Sequence, residues 1–149
     1  MTYILNIETA TKNCSVSLSN NGQTVAVKEL CEEQFSHAEK LHLFIKDVLQ
    51  TAGISLTHLK AIAVSKGPGS YTGLRIGVSA AKGLCYALNI PLIAVDTLAV
   101  LVERVSVESG IIVPMIDARR MEVFTQTFRK NKEAVTAAEA LIVDEEAFK

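Results

Sequence analysis

The sequence predicts an α/β fold: one lobe of order βββαβαβα, followed by an incomplete second lobe. Three observations carry that prediction. Two alternating segments, "CSVSLS" and "QTVAVKEL", flank the turn residues Asn20-Asn21-Gly22. Short apolar runs then alternate with stretches of helical periodicity up to residue 105, as crossover units on one sheet do. Near residue 110 a strand-first pattern begins again.

Each element has a local reason. Residues 3–9 form a short apolar run, and 14–19 and 23–30 alternate in polarity. Asparagine and glycine tolerate positive φ, so a tight hairpin is expected between the last two. Ser36 and Glu39 form a capping box ahead of a helix whose apolar positions Leu41, Phe44, Ile45, Val48, Leu49 and Ala52 recur at helical spacing; Gly53 ends it. Residues 61–64 read as a buried strand running into "KGPGSYTGLRIG". Residues 72–88 read as a second helix, stopped by Asn89-Ile90-Pro91. A strand at 92–95 and a third helix at 97–105, behind the capping candidate Asp96, complete the lobe. Further strands are expected at 111–116, 122–128 and 140–143, with a helix starting at Asp144. The lobes are placed at 1–108 and 109–149.

Composition sets limits on function. A chain that is 49% hydrophobic and 21% charged is an ordinary globule, and a net charge of -1 argues against a surface that grips nucleic acid unaided. Cys14, Cys31 and Cys85 are odd in number and lack C-x-x-C spacing, which speaks against a disulfide framework and a thiolate zinc site. The N-terminus has neither the basic flank nor the long apolar core of a signal peptide. No apolar run reaches ~18 residues, so a cytoplasmic protein away from membranes is expected.

The glycine stretch fails two phosphate-loop tests. For G-x-x-x-x-G-K-[ST], Gly69 and Gly73 stand one residue too close, and Leu74-Arg75 replaces Lys-Ser. For G-x-G-x-x-G, Thr72 stands where the third glycine belongs. The strand-loop-helix turn still points amides at whatever precedes the helix, which leaves weak anion binding open. The steric reading is that Gly73, Gly77, Ser79, Ala80 and Ala81 leave a bare stripe for close packing. A helix-interior glycine costs up to ~1 kcal/mol relative to alanine, so Gly77 and Gly83 need a packing reason, expected to be another helix.

"SKGPGSYTGLRIGVSAAKGL" and "MIDARRMEVF", together with the opening "ILNIETATKNCSVSL", resemble the TsaB (YeaZ) family, accessory proteins of bacterial tRNA threonylcarbamoyladenosine synthesis. The resemblance covers essentially the whole chain and implies an actin-like, sugar-kinase-like (RNase H-like) fold of two related lobes. Family members are longer, so it also implies a second lobe cut short here. The implied role is a non-catalytic scaffold that binds and activates a TsaD-like paralogue. That paralogue would carry ATP, a metal ion and threonylcarbamoyl transfer to the adenosine beside the anticodon. A TsaE-like ATPase and the tRNA would join only through the complex, and a homodimer would form in the paralogue's absence. An ATP-binding phosphotransferase or ATPase lobe of the same fold is the alternative.

Site residues are expected in two groups. Leu41, Ile45 and Val48 on the first helix, widened by Leu43 and Leu49, and Gly73, Gly77, Ala80 and Ala81 on the second are expected to meet a partner chain; otherwise both helices turn these faces to the sheet. Glu8, Thr9 and Asp117 are the candidates for a vestigial nucleotide cleft, and a cap or ion pair with Arg119 or Arg120 is the structural alternative for Asp117. His37 and His42 are five apart, roughly 140° around a helix, and cannot share a metal as an i, i+4 pair does. Neither a catalytic residue, nor a metal site, nor a cofactor bound by the chain itself is expected.

Overall fold

Asn21 and Gly22 take φ of 50° and 81°, the two left-handed positions of a type I′ turn, and join β2 (Asn13–Asn20) to β3 (Gln23–Cys31) as the sequence predicts. The structure, a computed structural model, describes residues 1–31, 37–145 and 147. Ser36, the expected cap of the first helix, lies outside them. The chain divides into two compact units, residues 1–66 with 70–95, and residues 67–69 with 96–149.

In the first unit, β1 (Tyr3–Glu8) pairs antiparallel with β2 and parallel with β4 (Leu59–Gly67), in a five-stranded sheet ordered β3-β2-β1-β4-β5, where β5 is Leu92–Asp96. Register places Leu5 opposite Leu18 and Ile62, and Ile7 opposite Val16 and Val64, so one sheet face is continuously apolar. Two helices cover that face, α1 (His37–Thr51) through Leu41, Ile45, Val48 and Leu49, and α2 (Tyr71–Leu88) through Ala81 and Cys85. Leu41 and Val48 are fully buried, and burying a side chain of that size contributes about 1.5–3 kcal/mol.

Both helices end in the same way. Gly53, at φ 67°, lets Ile54 N–H reach back to Leu49 C=O, and Asn89, at φ 52°, does the same for Ile90 N–H and Cys85 C=O. Each is a left-handed cap that satisfies carbonyls left over by the last turn.

The second unit departs from the expected strands. The strand expected at 111–116 divides into β6 (Ile111–Ile112) and β7 (Met115–Arg119) around Pro114, which has no N–H for a ladder. The one expected at 122–128 divides into β8 (Glu122–Thr125) and β9 (Phe128–Arg129), because Thr127 N–H and the Gln126 amide turn to Thr136 instead. β10 (Glu139–Ile142) pairs with β8, β8 with β7, and β6 with β9. Leu98 and Val102 of α3 (Thr97–Glu103) pack with Ile112 and Phe128 into a small separate core. Asp96 takes the N-cap position of α3, but its side chain does not bond back to the helix, contrary to the expected cap. Of the helix expected from Asp144, residues 144, 145 and 147 are described and form a bend and turn, with Ala147 N–H donating to Asp144 C=O at 3.3 Å; the other three lie outside the described residues.

The β7–β8 connection is strained. Arg119, Arg120 and Met121 all have left-handed backbones, at φ 69°, 53° and 62°, although none is glycine, asparagine or aspartate. Such a conformation costs an L-residue with an ordinary side chain about 1–2 kcal/mol.

Candidate functional site

Where β1 ends, four successive residues reach four different parts of the first unit. The Glu8 carboxylate accepts from Ala10 N–H at 2.7 Å and from the Ser65 hydroxyl of β4. Thr9 is buried, and its hydroxyl donates to the Gly73 carbonyl of α2 at 2.8 Å. Ala10 C=O accepts from Ser70 N–H at 2.6 Å, at the mouth of α2. Thr11 C=O lies 2.7 Å from His37 Nε2 at the start of α1, so that ring nitrogen is the one that donates. Strand exit, central strand and both helices are thus tied at one point.

The bare glycines belong to this junction. A Cβ on Gly73 would collide with the Thr9 carbonyl oxygen and press on the His37 ring; one on Gly77 would collide with the Thr9 hydroxyl. The close partner of the stripe is therefore the end of β1, where a second helix was expected. Gly83 differs: among the described residues a Cβ there would meet nothing within 4 Å, so the packing reason expected for it is not found among them. Ser70 caps α2 by accepting from Gly73 N–H at 3.2 Å.

The stripe expected to meet a partner faces the chain's own interior. Leu41, Ile45, Val48 and Ala81 are core, Ala80 is half-buried against it, and Gly73 and Gly77 sit on Thr9. What the two helices present outward is another set. Leu43 is 56% exposed on α1, and Tyr71 and Tyr86 are 75% and 92% exposed on α2. Arg75 lies 5.3 Å over the Tyr71 ring.

The remaining candidates are plainly placed. Asp117, exposed in the second unit, accepts from Arg119 N–H at 2.8 Å, which makes it a local turn brace and not an ion-pair partner of the arginines. His42 is exposed while His37 is buried, and among the described residues no three His, Cys, Asp or Glu gather as a metal site. Burial pushes the thiols of Cys14 and Cys85 up, the latter despite an opposing hydrogen bond from the Ile62 backbone, whereas Cys31 is exposed. No helix among the described residues is long and apolar enough to cross a membrane.

Sequence reading missed Ser65 and Ser70. Ser70 carried a usable signal, a serine just ahead of the first helical residue. Ser65 carried none, because only the β1–β4 pairing brings it to Glu8.

A family profile described as "TsaD: tRNA N6-adenosine threonylcarbamoyltransferase" matches residues 32–148. The "tRNA threonylcarbamoyladenosine biosynthesis protein TsaB" of Escherichia coli (strain K12) is 37% identical over 134 residues, 89% of this chain and 57% of its own. The solved structure of YeaZ from Pseudomonas aeruginosa matches with a TM-score of 0.86 at 30% identity, over 99% of this chain and 70% of that one. The chain belongs to the TsaB (YeaZ) family. It spans little more than half the length of the curated relative from Escherichia coli, at 57%. The ethanolamine utilization protein EutJ of Carboxydothermus hydrogenoformans has a TM-score of 0.59 at 14% identity, over 96% of this chain and 52% of its own, a likeness of fold alone. The fold is the actin-like, sugar-kinase-like one that TsaB-family membership implies.

Proposed function

We propose that the chain is a non-catalytic accessory subunit in tRNA threonylcarbamoyladenosine synthesis, working in the cytoplasm by binding and activating a TsaD-like paralogue. ATP and a metal ion belong to the paralogue in this reading, a TsaE-like ATPase joins through the complex, and tRNA is met only there. The observation that carries it is the state of Glu8 and Thr9. In a nucleotide-binding lobe, the carboxylate and hydroxyl at this strand end must be available to a metal or phosphate. Here both carboxylate oxygens accept hydrogen bonds from the chain, and the Thr9 hydroxyl points into α2. Their hydrogen bonds serve the junction of β1, β4 and α2, and no catalytic step is assigned to them.

Support for the partner surface comes from the outward side of α1 and α2. Tyr71 and Tyr86 are 75% and 92% exposed on α2, Gly83 is open one turn before Tyr86, and Leu43 is exposed on α1; exposed aromatic side chains of this kind serve as interface anchors. A homodimer using the same side is the expected form without the paralogue. Titration calorimetry tests the reading: heat is expected with a TsaD-like protein and is abolished by Tyr86→Asp. ATP turnover above ~1 per second by the chain alone, lost in Glu8→Ala, contradicts it in favour of the ATPase alternative.

A further inference from the structure

The β7–β8 turn breaks a local stereochemical rule without a visible gain in stability. Arg120 and Met121 hold the two central positions of a two-residue hairpin, both left-handed, where Asn-Gly would sit without strain; Arg119, at the bulge before them, is left-handed as well. The fold holds the turn in place from outside. Asp117 fixes Arg119 N–H, Val143 N–H fixes the Met121 carbonyl, and Arg119 pairs across with Glu122. Residues kept in sparsely populated conformations, when the surroundings over-determine them, gather at functional positions. Here the strain displays side chains: Arg119 and Arg120 are exposed, Met121 is 70% exposed, and among the described residues neither guanidinium has a hydrogen bond or ion pair.

We propose that Arg119 and Arg120 form a phosphate-binding fork. Guanidinium is the side chain suited to it: planar, always charged, and able to meet two phosphate oxygens at once. A tight turn fixes both bases of the fork, which lowers the ordering cost of binding, and a Met beside them gives a soft apolar contact for a base or ribose. The same phosphate chemistry is found in a polynucleotide backbone and in a free nucleotide. The proposal does not depend on the partner reading above: two arginines supply at most a local phosphate contact, and stable engagement of tRNA stays with the complex.

Two probes and two variants test it on the 149-residue chain: a short fluorescent RNA hairpin, with pyrophosphate as competitor, measured by anisotropy across a salt series. Arg119→Gln with Arg120→Gln removes the charges and retains the strained turn. Arg120→Asn with Met121→Gly relieves the strain and removes one arm. The double glutamine variant is expected to bind at least tenfold more weakly, with a salt slope shallower by about one per arginine. The Asn-Gly variant is expected to melt higher and still bind more weakly, which a merely incidental surface turn would not do. Pyrophosphate should displace the hairpin from a phosphate fork, and the two affinities assign its source: a hairpin held more tightly than pyrophosphate points to a backbone phosphate, and the reverse order to a free one. Absence of binding by the wild-type chain to both probes, or variants that bind as it does, overturns the proposal.

Discussion

The Thr9 hydroxyl donates to the carbonyl of Gly73, 64 residues further on, and the same side chain fills the space a Cβ on Gly77 would need. One threonine thus explains two glycines. It also sets how closely α2 approaches β1, and with it which side of α2 faces out.

The two glycines differ in tolerance, because Gly73 abuts fixed backbone and Gly77 abuts a hydroxyl that can rotate. Overpacking of a tight contact costs about 1–3 kcal/mol, against up to ~1 kcal/mol regained from helix propensity. Urea unfolding should show Gly73→Ala to be the more destabilised, near the upper end of that range. Equal stability of the two variants would show that the Thr9 carbonyl does not set the spacing.

Thr9 and Gly77 should also be coupled. Thr9→Ala loses a buried hydrogen bond, worth about 0.5–1.5 kcal/mol net, but opens the space that Gly77→Ala requires. The double variant should be more stable than the sum of the singles by at least ~0.5 kcal/mol. Strict additivity in the same urea series would place the Gly77 contact elsewhere.

Gly83→Ala should go the other way. With open space around it, an added methyl removes backbone entropy from the unfolded chain and stabilises by up to ~1 kcal/mol. Thermal melts read this directly; a loss of stability would mean that something in this chain packs there. If the outward side is the interface, the same variant should weaken paralogue binding.

The buried thiols make a pH prediction. Cys14 and Cys85 are both raised above the ordinary 9.0 by burial, so the unfolded chain ionises first. Their contribution to stability is complete below pH 9 and is lost as pH rises from there through the raised values. Between about pH 8 and about pH 10, the wild-type chain should lose more stability than a Cys14→Ala, Cys85→Ala variant. Identical losses would mean that the two thiols ionise as freely folded as unfolded.

Much of the first unit was legible because its signals are local. Leu41, Ile45 and Val48 declare a helix by spacing, Asn21-Gly22 declares a hairpin, and Asn89 declares a stop. Sequence could not say against what those stripes pack. Glu8–Ser65 and Thr9–Gly73 exist only once β1 lies beside β4 and under α2, so the strand end read as a cleft candidate and the glycines read as a helix contact. In the second unit, Pro114 was a usable signal of a break that the expected strand at 111–116 passed over, and the left-handed turn at Arg119–Arg120–Met121 has no sequence signature at all, since its residues contradict its geometry.

The account rests on the outward side of α1 and α2 being an interface. The most direct measurement is calorimetric titration of a purified TsaD-like paralogue into this chain, beside Tyr86→Asp and Leu43→Asp variants shown by their melts to be folded. The account predicts saturable binding by the wild-type chain and a loss of at least tenfold in each variant. Variants that bind as tightly as the wild-type chain, or a wild-type chain that does not bind at all, would contradict it.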